Sequence, residues 1–131
     1  MTLYELIDLS QNIGNRVDVQ WGFFLTVHMA LFGGIIYVDR PLRKAEKIVA
    51  IVLYTGFALV NYFVLANQLT LQQVIHNEIS QLFGTDSSGL AQYFTARAKG
   101  AVFETTHFYS KIVHGVMWII VALSVIYDRK R

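Results

Sequence analysis

Residues 19–38 read VQWGFFLTVHMALFGGIIYV, and the stretch contains no Asp, Glu, Lys or Arg. At a helical rise of about 1.5 Å per residue it matches a bilayer hydrocarbon core of about 30 Å. A second run, residues 48–75 between Lys47 and His76, is longer and equally free of those residues. A 131-residue chain that gives this much of itself to such runs reads as an all-α integral membrane protein. The third run, residues 112–127, makes only about 24 Å of helix. Extending it back to His107 restores the length and brings Lys111 inside, where its stem can snorkel to the surface or its ammonium can face the protein interior. The spans expected are therefore 19–38, 47–68 and 107–127.

Composition points the same way. An apolar fraction of 54%, a charged fraction of 15% and a mean hydropathy of +0.42 all lie on the membrane side of a soluble domain. The net charge of +2 sits mostly in two short basic clusters. With no stripe of basic and aromatic residues to follow a phosphate backbone, nucleic acid is excluded as a partner. The absence of cysteine excludes disulfides, thiolate metal sites and cysteine nucleophiles. The opening MTLYELIDLSQNIGNRVD is acidic and amphipathic, unlike a signal peptide, so Met1 is expected to be retained.

Orientation follows from the basic residues. Arg40, Arg43, Lys44 and Lys47 crowd the 39–46 loop and its edge, and Arg129, Lys130 and Arg131 close the chain. The positive-inside rule puts both clusters in the cytoplasm, with the N-terminus and 69–106 outside, N-out and C-in. From the small size and compact design the expected location is a bacterial inner membrane. Residues 1–18 carry Leu3, Leu6, Ile7, Ile13 and Val17 near helical spacing and are expected to lie on the outer surface as an interfacial helix. Pro41 stands where the second helix should begin. Between the second and third spans, Leu71, Ile75, Ile79 and Leu82 form one helical stripe. TDSSG (85–89) is a turn, and a second helix with Leu90, Tyr93, Phe94, Ala98 and Ala101 should follow, capped by Asp86, Ser87 or Ser88. The expectation is one domain, 1–131, with an extracytoplasmic helical hairpin at 69–106 whose stripes need a covering surface.

Polar groups at membrane depth carry the functional signal, because each is costly there unless paired. His28 falls near the middle of the first span, Asn61 and His114 slightly to the outer side in the other two, and Lys111 one turn above His114. Tyr54 and Thr55 come just below. Three readings compete for His28, Asn61, Lys111 and His114. They can form a hydrogen-bonded cluster that fixes helix packing. They can line a conduction path in an oligomer. Alternatively, His28 and His114 can ligate haem b as a bis-histidine pair, with Gly33, Gly34 and Gly115 leaving room. Gly33-Gly34 is also the natural place for a hinge or close helix crossing, and Trp118, deep in its span, should point its indole N–H at another helix.

A weaker pattern lies outside the spans. Glu104 and His107 form E-x-x-H, and with His76 and Glu78 they offer four ligands to a divalent metal. The plainer alternative is a solvated helix face. No nucleophile elbow, H-E-x-x-H, phosphate-binding glycine loop or dinucleotide fingerprint is present, so the chain is not expected to be an enzyme. The expectation is a small inner-membrane protein that assembles with itself into a pore, channel or membrane-perturbing effector without a cofactor. The alternative is a haem-binding or structural anchor subunit among other membrane subunits of an electron-transfer complex.

Overall fold

The computed structural model describes residues 1–38, 40–85, 89–99 and 102–127, and every regular element among them is helical. The order is α1 (Leu3–Tyr37), α2 (Lys44–Phe83), α3 (Gly89–Lys99) and α4 (Val102–Ile126). Three of these, α1, α2 and α4 from Glu104 onward, are long and apolar enough to cross a membrane.

Two helices run further than the apolar patterning predicts. Residues 3–18 do not form a separate helix. They are the first half of α1, which continues unbroken through residues 19–37. In the same way the second apolar run and the first stripe beyond it are one helix, α2, of 40 residues. At about 1.5 Å per residue, α1 is about 52 Å long and α2 about 60 Å, so each exceeds a 30 Å core by 20 Å or more. Gly22, Gly33 and Gly34 do not interrupt α1, because a glycine in a helix costs only about 1 kcal/mol against alanine and no proline stands near it.

The helix ends are set locally. Thr2 caps α1: its hydroxyl accepts from the Glu5 N–H at 3.3 Å, while the Glu5 carboxylate accepts from the Thr2 N–H at 2.7 Å. Helix α2 starts at Lys44, three residues after Pro41, where the Glu46 carboxylate accepts from the Arg43 N–H at 2.8 Å and pairs with the Arg40 guanidinium. Those two contacts hold the Glu46 carboxyl down to about 2. Helix α2 stops at Gly84, where a Cβ would collide with the Ser80 carbonyl. The expected caps of α3, Asp86, Ser87 and Ser88, lie outside the described residues, as does Ala101.

Helix α2 is the spine of the fold, packing against each of the other three. Antiparallel α1 and α4 flank it. At the basic end Lys47 donates to the Ile126 carbonyl at 2.8 Å, so the start of α2 and the finish of α4 lie together. There Tyr54, Ala58, Val121 and Val125 are buried, with Leu31, Phe32 and Ile35 of α1 packed on them. At the opposite, cap end, Leu6, Ile7 and Ile13 of α1 pack on Ile75 and Ile79 of α2 and on Phe94 of α3. The stripes expected to need a partner thus partly cover one another, although Leu71 and Leu82 remain exposed. Gly33, Gly34, Gly56 and Gly115 all face open space, so they are not points of close helix crossing. Gly14 is the glycine at a crossing: a Cβ there would lie 3.5 Å from Gln72 Nε2.

Candidate functional site: a polar layer across three helices

The polar side chains of the three long helices meet in one layer, with Asn61 of α2 at its centre. Its amide nitrogen donates to the Gln20 side-chain oxygen at 2.9 Å and to the Gln20 carbonyl at 3.2 Å, both on α1. Its amide oxygen faces His114 Nε2 of α4 at 3.0 Å. One side chain therefore ties all three helices. His114 Nδ1 meets the Ser110 carbonyl, one turn back on its own helix, at 2.9 Å.

One step toward the basic end, His28 of α1 repeats the arrangement. Nδ1 bonds the Phe24 carbonyl a turn back, and Nε2 bonds the Tyr54 hydroxyl of α2. A carbonyl can only accept, so Nδ1 carries the proton and the Tyr54 O–H donates to Nε2, which satisfies the neutral ring completely. Below, the Trp118 indole N–H donates to Thr55 Oγ1 at 2.9 Å, giving the deep tryptophan its expected partner.

Phe24 joins the two histidines. Its ring is buried, with its centroid 4.1 Å from that of His28 and 4.4 Å from that of His114. Tyr62 meets His114 at 5.6 Å. This arrangement does not fit haem held between His28 and His114. A phenyl ring occupies the space between the imidazoles, and each Nε2 that would reach an iron already has a hydrogen-bond partner.

Of the four residues picked from the sequence for this layer, three converge. His28, Asn61 and His114 are all buried. Lys111 is not in the layer: it is exposed, one turn above His114, at the rim of a groove between α2 and α4. Gln20 and Phe24 were not singled out. A glutamine and a phenylalanine in a long apolar run carry no periodic signal of their own, and only the register of α1 on α2 sets Gln20 beside Asn61.

The cap end holds a second polar centre. His76 is buried, and its Nε2 meets Ser10 Oγ of α1 at 2.8 Å. Phe94 of α3 lies edge-on at 5.0 Å. Burial, and then the nearby Arg97 charge, push the His76 pKa down to about 4, so the ring is neutral. Arg97 donates to the Tyr93 hydroxyl at 3.0 Å and lines the same polar cavity of about 420 Å³, together with Asp18 and Gln72. The expected metal set does not assemble. Among the described residues no three His, Asp or Glu side chains gather as ligands, and Glu78 and Glu104 are exposed while His76 is buried. Two residues apart on one helix, His76 and Glu78 point about 200° away from each other, so His107 and Glu104 cannot meet both.

No protein-family model matches this chain, and neither a curated protein nor a solved structure resembles it. What is defined is a class: an all-helical protein with three helices of membrane-spanning length, joined by a buried polar layer.

Proposed function

We propose that the chain is a three-span membrane protein, N-terminus outside and C-terminus cytoplasmic, that serves as a self-contained anchor subunit of a larger membrane assembly. One observation carries this reading. Most polar side chains of the spans bond within the chain, with Lys111, the Tyr62 hydroxyl and the buried Ser110 Oγ among the exceptions, and the outward faces are largely apolar. Gln20, His28, Tyr54, Asn61 and His114 pair with one another or with their own backbone, and so do Thr55 and Trp118. Thr26 and Ser124 bond carbonyls of the preceding turn. The faces turned outward carry Leu25, Met29, Val60, Phe63, Ile119 and Leu123. Copies packed around an axis would line it with those apolar groups, whereas a conducting path needs polar ones or water. The self-assembled pore expected from sequence therefore loses the premise that suggested it, namely polar groups a single chain could not satisfy.

Orientation is supported by the basic end, where Arg40, Arg43, Lys44 and Lys47 share one side with the finish of α4. An assembly partner is supported by the opposite end. Beyond the spans Leu71, Val74, Leu82 and Leu90 are each about half exposed, with no bilayer there to cover them.

The test is reconstitution of the purified chain into liposomes, with ion leakage and mass in mild detergent measured together. The expected result is leakage no greater than that of empty vesicles, and a mass of one chain when it is purified alone. A leak that shifts in His114→Ala, from a defined multimer, would overturn this reading and restore the pore.

A further inference from the structure

The groove between α2 and α4 has an unusual polarity along its length. It is about 450 Å³ in volume. Its walls are Ala58, Leu59, Gly115 and the Trp118 ring, and Lys111 stands at one end with Tyr62. Given the membrane placement proposed above, depth follows from the register. Taking α4 as spanning 107–127, Lys111 lies about 9 Å from the bilayer centre and Trp118 near it. The lysine stem, about 6 Å long, lifts its ammonium to about 15 Å from the centre, the outer edge of the hydrocarbon core, where it can meet a phosphate at the base of the headgroups. The antiparallel pairings Asn61–His114 and Thr55–Trp118 set Tyr62 level with Lys111. The groove thus runs from mid-bilayer to the outer headgroups, the length of one acyl chain.

The chemistry narrows the occupant. Lys111 and the Tyr62 hydroxyl have no hydrogen-bond or ion-pair partner among the described residues. A span from a second copy offers no Asp or Glu along 19–38, 48–77 or 105–127, and its nearest acidic groups stand at the outer edge, where Asp18 already lines the cavity with Arg97. A neutral carbonyl ligand such as a quinone would find His114 turned to the Ser110 and Asn61 oxygens and would leave the Lys111 ammonium without a counter-charge. We propose that this groove holds an anionic glycerophospholipid of the outer leaflet. One acyl chain lies along Ala58, Leu59 and Gly115 down to Trp118, and the phosphate is held by the Lys111 ammonium and the Tyr62 hydroxyl.

The site is read by fluorescence of Trp118 in the full-length chain carrying Trp21→Phe. The protein is placed in vesicles containing phosphatidylglycerol or phosphatidylcholine brominated near the acyl-chain end. Brominated phosphatidylglycerol should displace unlabelled lipid from Trp118 about fivefold more effectively than brominated phosphatidylcholine, the factor one lysine near the headgroups is worth. Lys111→Gln should abolish the preference and Lys111→Arg should keep it. Gly115→Leu should lower quenching by both lipids. A side chain there has open space to enter, so this variant fills the groove without moving the helices. Equal quenching by the two lipids, unchanged in Lys111→Gln, would overturn the site while leaving the membrane placement intact. No quenching by either lipid would overturn the placement as well. Loss of quenching together with a dimeric mass would assign the groove to a second copy and also overturn the proposal.

Discussion

Asn61 turns its carbonyl oxygen, not its amide nitrogen, toward His114, with Oδ1 and Nε2 3.0 Å apart. Since His114 Nδ1 also faces a carbonyl, that of Ser110, the ring stands between two acceptors. A neutral imidazole has one proton and serves one of them; an imidazolium serves both. Rotating the amide would serve the neutral ring but would turn the Asn61 oxygen toward the Gln20 carbonyl. The orientation of Asn61 and the proton count of His114 are therefore one linked variable, and Gln20 on α1 reports on both.

This linkage predicts a large coupling between α2 and α4. Asn61→Leu strips partners from Gln20 and His114 at once and should destabilise the fold by about 1–2 kcal/mol, in line with intramembrane hydrogen bonds of about 0.6–1.7 kcal/mol each. The double variant with His114→Leu should cost less than the two singles added together, because the partner left unpaired has gone. Unfolding of the chain in bicelles measures this, and strict additivity would mean that the Asn61–His114 contact contributes nothing.

At the neighbouring pair, Tyr54→Phe removes the donor to His28 Nε2 and leaves a buried acceptor without a partner. The expected cost is about 1 kcal/mol. The ¹⁵N spectrum of His28 should show a single protonated nitrogen, Nδ1, in the parent chain. A proton found on Nε2 instead would contradict the hydrogen-bond assignment.

Stability should fall in mild acid through His76. The unfolded ring takes up a proton near its ordinary 6.5, whereas the buried ring does so only near 4. Between those values the unfolded state binds more protons, so stability drops as pH falls from about 6.5 to about 4 and is insensitive to this group above that window. His76→Gln, which can still reach Ser10, should flatten that slope. Thermal unfolding at several pH values checks it.

The purified protein should be colourless. Phe24 lies between the two imidazoles, and both Nε2 atoms are engaged. Oxidised and dithionite-reduced absorption spectra should therefore lack a Soret band. A band lost in both His28→Ala and His114→Ala would show that the pair opens to admit a haem.

Parts of this layer were legible in the chain. Apolar length located the three long helices, and helical rise alone set His28, Asn61 and His114 at matching depths. Depth does not give azimuth, however. Lys111 stands one turn above His114 and points to the rim of the groove, and Gln20, next to Trp21 in the chain, enters only because α1 rolls it toward α2. Outside the apolar runs the two stripes fared differently: 71–82 is helical and ends at Gly84 as expected, whereas 3–17 continues into α1 without forming a helix of its own. Amphipathic stripes at 3–17 and 71–82 look the same whether a helix lies on a surface or packs against its neighbour.

Sequence by itself determined that the chain is helical, that three stretches are of spanning length, and that most Lys and Arg residues fall in two short clusters at 40–47 and 129–131, because these are properties of local composition and spacing. Tertiary structure decided the rest. Residues 3–17 and 71–82 became extensions of α1 and α2 because Leu6 and Ile13 could be buried on Ile75 and Ile79. The polar residues became an internal clasp because antiparallel register brought Asn61 within reach of both Gln20 and His114. A polar side chain in an apolar run declares only that it needs a partner. Whether that partner is water in a lumen, a metal or another side chain depends on which faces of the helices meet.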